Sequence, residues 1–301
     1  MATPMSASQF IAALRAEGVT VVEVGNWETH NRNSKGAWGP VNGVVIHHTV
    51  SSGVSNTVAL CRDGDSNLPG PLCHGVIDKQ GVVHLVGYGR ANHAGGGDPK
   101  VLSAVSAESY GDRPPAPHEH QGSAGAVDGN VHFYGFECIN LGDGKDPWPA
   151  AQLEAIERVS AAICRHHGWD KRSIIGHLEW SDWKSDPRGF SMVDMRKRVA
   201  TRLGQAATPT TPSAPSTPTY EPFPGTSLFK AGKKSPIIAA MHKRLVAEGC
   251  NAYASSANSN VWGSGDKASY AKWQRKLGYT GTAADGIPGP TSWSKLHVPN
   301  V

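Results

Sequence analysis

The chain reads as an α/β protein: a mixed central sheet flanked by helices, followed by a small, mostly α-helical C-terminal domain. Three observations predict this. Strand-like and helix-like segments alternate from residue 19 to residue 203. The run GVVIHHTV (43–50) is continuously apolar and β-branched up to its histidines, as in a strand buried on both faces. The stretch QAATPTTPSAPSTPTYEP (205–222) is almost all Ala, Thr, Ser and Pro, which cannot bury apolar surface and acts as an extended spacer. The expected organisation is therefore a domain over 1–204, a linker over 205–222 and a second domain over 223–301.

Taken in order, Ser8 is placed to cap a helix carrying Phe10, Ile11 and Leu14, with Gly18 closing it. VTVVEV (19–24) and GVVIHHTV (43–50) follow as strands. HGVIDKQGVVHLV (74–86) reads as a hairpin turning at Lys79-Gln80-Gly81. Residues 93–131 are rich in Gly, Pro and His with little periodicity, and read as a long surface loop. VHFYGFECIN (131–140) is a strand. Residues 150–168 carry Leu153, Ile156, Val159 and Ile163 at helical spacing and end on Gly168. RSIIGH (172–177) is a strand with His177 at its tip, and 192–203 a closing helix. In the second domain, helical patterns cover 236–249 and 266–278, followed by ADGIPGPTSWSKL (284–296).

The formal net charge of +4 is unevenly spread. Residues 223–301 hold ten Lys/Arg against three Asp/Glu, a balance of +7, which suits an anionic polymer such as nucleic acid or a Gram-positive cell wall. The five cysteines are odd in number and include no CxxC, so a disulfide framework or cysteine zinc site is not expected. Cys61 and Cys73 are the one pair near enough in sequence to bridge. No apolar run approaches the roughly 20 residues of a membrane span, and the N-terminus lacks a basic start and an apolar core, so synthesis in the cytoplasm without a signal peptide is expected.

The residues that carry chemistry are His47, Glu137, His177, Lys184 and Asp186, set in VVIHHT, FYGFECIN and GHLEWSDWKSD. Two imidazoles and a carboxylate can hold one zinc ion tetrahedrally with a fourth position open for water. A further carboxylate and an ammonium are what amide hydrolysis adds. On a strand, His47 and His48 face opposite sides, so only one can reach the metal, and Glu137 and Cys138 divide in the same way. Gly176 allows the backbone to approach closely beside His177. HExxH and GxSxG are absent, and His177-x-Glu179 lacks the PCxxC of zinc deaminases.

These three segments together resemble the zinc-dependent N-acetylmuramoyl-L-alanine amidases of type 2, a family that shares its fold with the peptidoglycan recognition proteins. The resemblance spans about residues 40–200. It implies zinc ligands at His47, His177 and Asp186, and catalytic roles for Glu137 and Lys184. GRANHAGGG (89–97) is similar to the family's HAG segment, and His93, His74, Asn92 and Trp180 are expected to line the substrate groove. Two positions depart from the pattern: Cys73 stands where many relatives carry Tyr, and Trp183 where many carry Arg.

YAKWQRKLGYTGTAADGIPGPTSW resembles the peptidoglycan-binding modules of phage and actinobacterial lysins, and its tryptophans Trp262, Trp273 and Trp293 offer faces that stack on sugars or bases alike. The resulting expectation is a monomeric modular endolysin that binds peptidoglycan and anionic wall polymers but no nucleic acid. It would reach the wall after holin-dependent release. The alternatives are a non-catalytic recognition protein on the same fold, another zinc-dependent wall peptidase or deacetylase, and a basic nucleic-acid binder.

Overall fold

A computed structural model describes residues 2–207, 220–255 and 257–299. The chain divides into two compact units, Met1–Pro212 and Ser213–Val301. Most of the expected linker, residues 208–219, lies outside the described residues.

The first unit begins with α1 (Ala7–Ala16), β1 (Val21–Glu23), β2 (Gly43–His48), α2 (Val54–Asp63), β3 (Gly75–Ile77) and β4 (Val83–Leu85). It continues through β5 (Gly96–Gly97), α3 (Pro99–Ser106), β6 (Val127–Asp128), α4 (Gly129–His132) and β7 (Phe133–Cys138). It closes with α5 (Ala150–His167), β8 (Ile174–Gly176), α6 (His177–Trp180) and α7 (Met192–Leu203). Six strands form one sheet in the order β1-β4-β3-β7-β2-β8. All neighbours run parallel except the β3–β4 hairpin, so the sheet is mixed.

The period-two alternation of β2 and β7 sorts their side chains between two layers. Val44, Ile46, Tyr134, Phe136 and Cys138 join the core that includes residues of α1, α5 and α7. Val45 and Phe133 face the opposite layer, with Val101 and Val105 of α3 and Trp180 of α6. The parallel register sets His47 beside Glu137, at the ends of adjacent strands and on that second face. Burying the apolar sides of a whole sheet this way contributes roughly 25 cal/mol per Å² of apolar surface, and fixes where the two strand tips lie.

Two expectations are corrected. The cap of α1 is Ser6, not Ser8: Ser6 is extended, its hydroxyl accepts from Gln9 N, and Gln9 Oε1 accepts from Ser6 N. The segment 93–131 is not a featureless surface loop. It contains α3, capped by Asp98 with Pro99 in the first turn, the β5–β6 pair and the short α4. Its residues His93, Ala94, Val101, Val105 and Asn130 are buried.

The second unit contains α8 (Pro236–Ala247), α9 (Ser264–Lys276) and α10 (Pro290–Leu296). Its core includes Ile238, Met241, Leu245, Trp262, Tyr270, Trp273, Trp293 and Leu296. The three tryptophans are thus packed inward and hold the unit together, instead of offering ring faces to a ligand. Among the described residues, no helix is long and apolar enough to cross a membrane.

Candidate metal centre

His47, His177 and Asp186 converge although they come from β2, the first residue of α6 and the loop beyond it. The two Nδ1 atoms lie 2.9 Å apart. Asp186 Oδ2 is 3.1 Å from His47 Nδ1 and 3.2 Å from His177 Nδ1. The loop carrying Asp186 is folded back onto α6 by the Leu178 N–H, which donates to the Asp186 carbonyl at 2.7 Å. Gly176 permits this return: a Cβ there would meet Pro187 Cδ at 2.8 Å.

The hydrogen bonds behind the two imidazoles fix their tautomers. His93 Nε2 donates to the Phe133 carbonyl at 3.2 Å, because a carbonyl only accepts. His93 Nδ1 therefore carries a lone pair and accepts from His47 Nε2 at 3.1 Å. That leaves a lone pair on His47 Nδ1. In the same way His177 Nε2 donates to the Ala94 carbonyl at 3.1 Å, leaving a lone pair on His177 Nδ1. With both rings neutral, three acceptor atoms then face one another with no hydrogen between them. A cation is what such a cluster lacks, and the residues fit a divalent metal with nitrogen and oxygen ligands. Burial and then the neighbouring His177 push the His47 pKa down to about 4, so the ring is neutral near pH 7, as a ligand must be. Burial, and then the histidines around it, hold the His93 pKa well below the usual imidazole value.

His93 was expected in the substrate groove. One edge of it lines the cleft, but both ring nitrogens are engaged, so its polar atoms serve His47. Its ring lies over Gly135, where a Cβ would come within 2.4 Å of His93 Nδ1. Its backbone is pinned by Asn130 Oδ1, which accepts from the N–H groups of His93, Ala94 and Gly95.

Glu137 is half-buried, and its Oε2 is buried without a hydrogen-bond partner among the described residues. Burial pushes its pKa well above the usual carboxylate range, with Cys61 and Asp186 adding to the rise and Lys184 opposing it. His48 and Cys138, on the opposite face, take no part: His48 Nδ1 accepts from Arg188 N, and Cys138 is core. Lys184 is exposed and lines a cleft of about 660 Å³, together with Asn92, Gln121, Asp128 and His177.

His74 and Trp180 do not reach the cleft. His74 is fully buried; its Nε2 donates to the Gly89 carbonyl and its Nδ1 accepts from Gly135 N, so neither nitrogen is left for a substrate. Trp180 is fully buried against Phe133, with its indole N–H on the Gly95 carbonyl. Sequence reasoning passed over one supporting pair. Arg196, only 2% exposed, makes a bidentate contact at 2.8 Å with Glu179, whose Oε2 also accepts from Gly176 N at the start of the His177 turn. Glu179 lies in the quoted GHLEW segment, but nothing local pointed to an arginine 17 residues on.

The first unit contains a span, residues 37–189, that matches the family profile described as N-acetylmuramoyl-L-alanine amidase. Comparison with curated proteins gives no match. Among solved structures, the chain is similar to the endolysin N-acetylmuramoyl-L-alanine amidase LysCS from Clostridium intestinale, at 14% identity over 60% of this chain and 96% of that one, with a TM-score of 0.38. It is also similar to the Ph2119 endolysin of a Thermus scotoductus bacteriophage, at 13% identity over 60% and 98%, with a TM-score of 0.36. Drosophila wild-type PGRP-LB aligns at 14% identity over 64% and 99%, with a TM-score of 0.37. These structural likenesses are too distant to carry weight, but the profile covers just over half of the chain and includes all five chemical positions. On that match, the chain belongs to the N-acetylmuramoyl-L-alanine amidase family.

Proposed function

We propose that the first unit hydrolyses the amide bond between N-acetylmuramic acid and L-alanine in peptidoglycan, with zinc held by His47, His177 and Asp186. The observation that carries this reading is the set of three facing acceptors, with Glu137 beside His47 on the adjacent strand and Lys184 lining the cleft that His177 also lines. When bound, zinc supplies Lewis-acid polarisation and a water of lowered pKa. Glu137 takes the proton of the attacking water and passes it to the leaving amine. Its raised pKa suits a group that must hold that proton near neutral pH. The Lys184 ammonium faces the negative charge that develops on the carbonyl oxygen. His93 holds His47 in the ligating tautomer, and the Glu179–Arg196 pair steadies the turn bearing His177.

For the second unit the reading is wall binding, supported by the +7 balance of residues 223–301 and by the resemblance of its C-terminal segment to wall-binding modules. Tethering a wall binder to a hydrolase raises the enzyme's local concentration at its substrate. The pairing is that of a modular endolysin. Digestion of purified peptidoglycan with and without chelator, followed by mass spectrometry, tests the activity. Free stem peptides beginning at L-alanine, with no new reducing sugars and none formed under chelation, are expected. New reducing ends, cuts within the peptide, or binding without release of peptide would overturn the reading.

A further inference from the structure

Of the nine tryptophans, Trp183 is the only exposed one among the described residues, at 69%. It is nonetheless held in place. Its ring stacks on His120 with centroids 3.5 Å apart and planes 12° apart. His120 is fixed in turn by Asp182, whose Oδ1 lies 2.8 Å from His120 Nδ1. The backbone joins the same two segments, with Asp182 N donating to the Glu119 carbonyl at 3.3 Å. Folding has therefore used one face of the indole and left the other to solvent. The face left to solvent gains nothing for the fold, because no apolar surface is removed from water there.

The position gives the ring a use. Lys184, the next residue, lines the cleft, as do Gln121, Gly122 and Ser123, which follow His120. Gln121 ties this lip to β5 by accepting from Gly96 N at 2.7 Å. The cleft itself offers charged and amide groups: Arg90, Asn92, Gln121, Asp128 and Lys184. Those suit the amides and carboxylates of a peptide. The flat apolar face outside them suits the C–H face of a pyranose, which matches a planar ring in shape and polarity. A bond that joins a sugar-borne group to a peptide requires the two halves to leave the metal centre on different sides. We infer that Trp183, backed by His120, is a platform for a sugar ring of the glycan strand next to the scissile amide.

This inference rests on the proposed amidase reading, and the test separates the two. The full chain is titrated by calorimetry, which gives the affinities, with a peptide-free N-acetylglucosamine–N-acetylmuramic acid tetrasaccharide and, separately, with a free stem peptide, and tryptophan fluorescence is followed alongside. Hydrolysis of a soluble muropeptide is measured in parallel. In the wild type the tetrasaccharide changes the emission; Trp183→Ala abolishes that change, weakens tetrasaccharide affinity about tenfold and raises KM by a similar factor. Trp183→Phe, which keeps an aromatic face, stays within about threefold of wild type, and stem-peptide affinity is equal in all three. Equal tetrasaccharide affinity in wild type and Trp183→Ala overturns the platform, as does a loss confined to the stem peptide or a Phe variant as weak as Ala. A wild type that releases no stem peptide, but whose tetrasaccharide binding is weakened by Trp183→Ala, overturns the amidase reading and leaves the platform standing.

Discussion

The two units use their buried side chains in opposite ways. In the second unit the buried aromatics pack on one another: Phe229 lies 5.0 Å from Trp262 and 5.4 Å from Trp293. Trp273 places its indole N–H on the Ser292 carbonyl at 3.0 Å. Every one of these groups is accounted for by folding. In the first unit, histidines and acids are buried in a connected chain, from the Phe133 carbonyl through His93 and His47 to Asp186 and His177. Folding gains nothing from three acceptors aimed at one another. The difference shows where function can be read from structure: in buried polar groups left unexplained by stability, and not in aromatic residues that a small core consumes.

This contrast can be broken in three ways, taken from the largest expected effect to the smallest. Trp273→Ala should cost the second unit about 3–5 kcal/mol, as truncation of a buried tryptophan does, while hydrolysis of a soluble muropeptide by the first unit stays at the wild-type rate. Denaturant melts and a soluble-substrate assay check both halves; an unaltered melt would remove Trp273 from the core. Lys184→Ala should leave the melt and zinc content unchanged, because the side chain is exposed, yet lose roughly 3–4 kcal/mol of transition-state stabilisation, seen as a several-hundredfold fall in kcat. A kcat equal to wild type would exclude Lys184 from the reaction. His93→Gln should weaken zinc binding about 10- to 100-fold, the usual cost of losing a partner behind a metal-ligating histidine. Competition against a calibrated chelator measures this, and an unchanged affinity would mean that His93 does not hold the His47 tautomer.

Much of this was legible in the sequence, for identifiable reasons. The β-branched run before His47 marks a buried strand, and the spacing from His177 to Asp186 is set by a local loop. The hairpin at 79–81 and the helix ending at Gly168 are written in turn and cap chemistry, and both are present. Less was legible in 93–131, because its order comes from distant partners. Asn130 secures three successive N–H groups some 35 residues earlier, and α3 is only 8 residues long. His74 misled for a related reason: its two partners, Gly89 and Gly135, lie 15 and 61 residues away, and no motif reveals that they consume the ring. The second unit's tryptophans showed their number but not the direction they face.

The central claim is that His47, His177 and Asp186 hold one divalent cation. Elemental analysis with calorimetric titration of zinc into the chelator-stripped full chain, beside its Asp186→Ala variant, tests it most directly. The account predicts one zinc per wild-type chain, a first-unit melting transition that rises as zinc is added, and neither effect in the variant. A wild-type chain that takes up no zinc, and melts identically with and without it, would contradict the account.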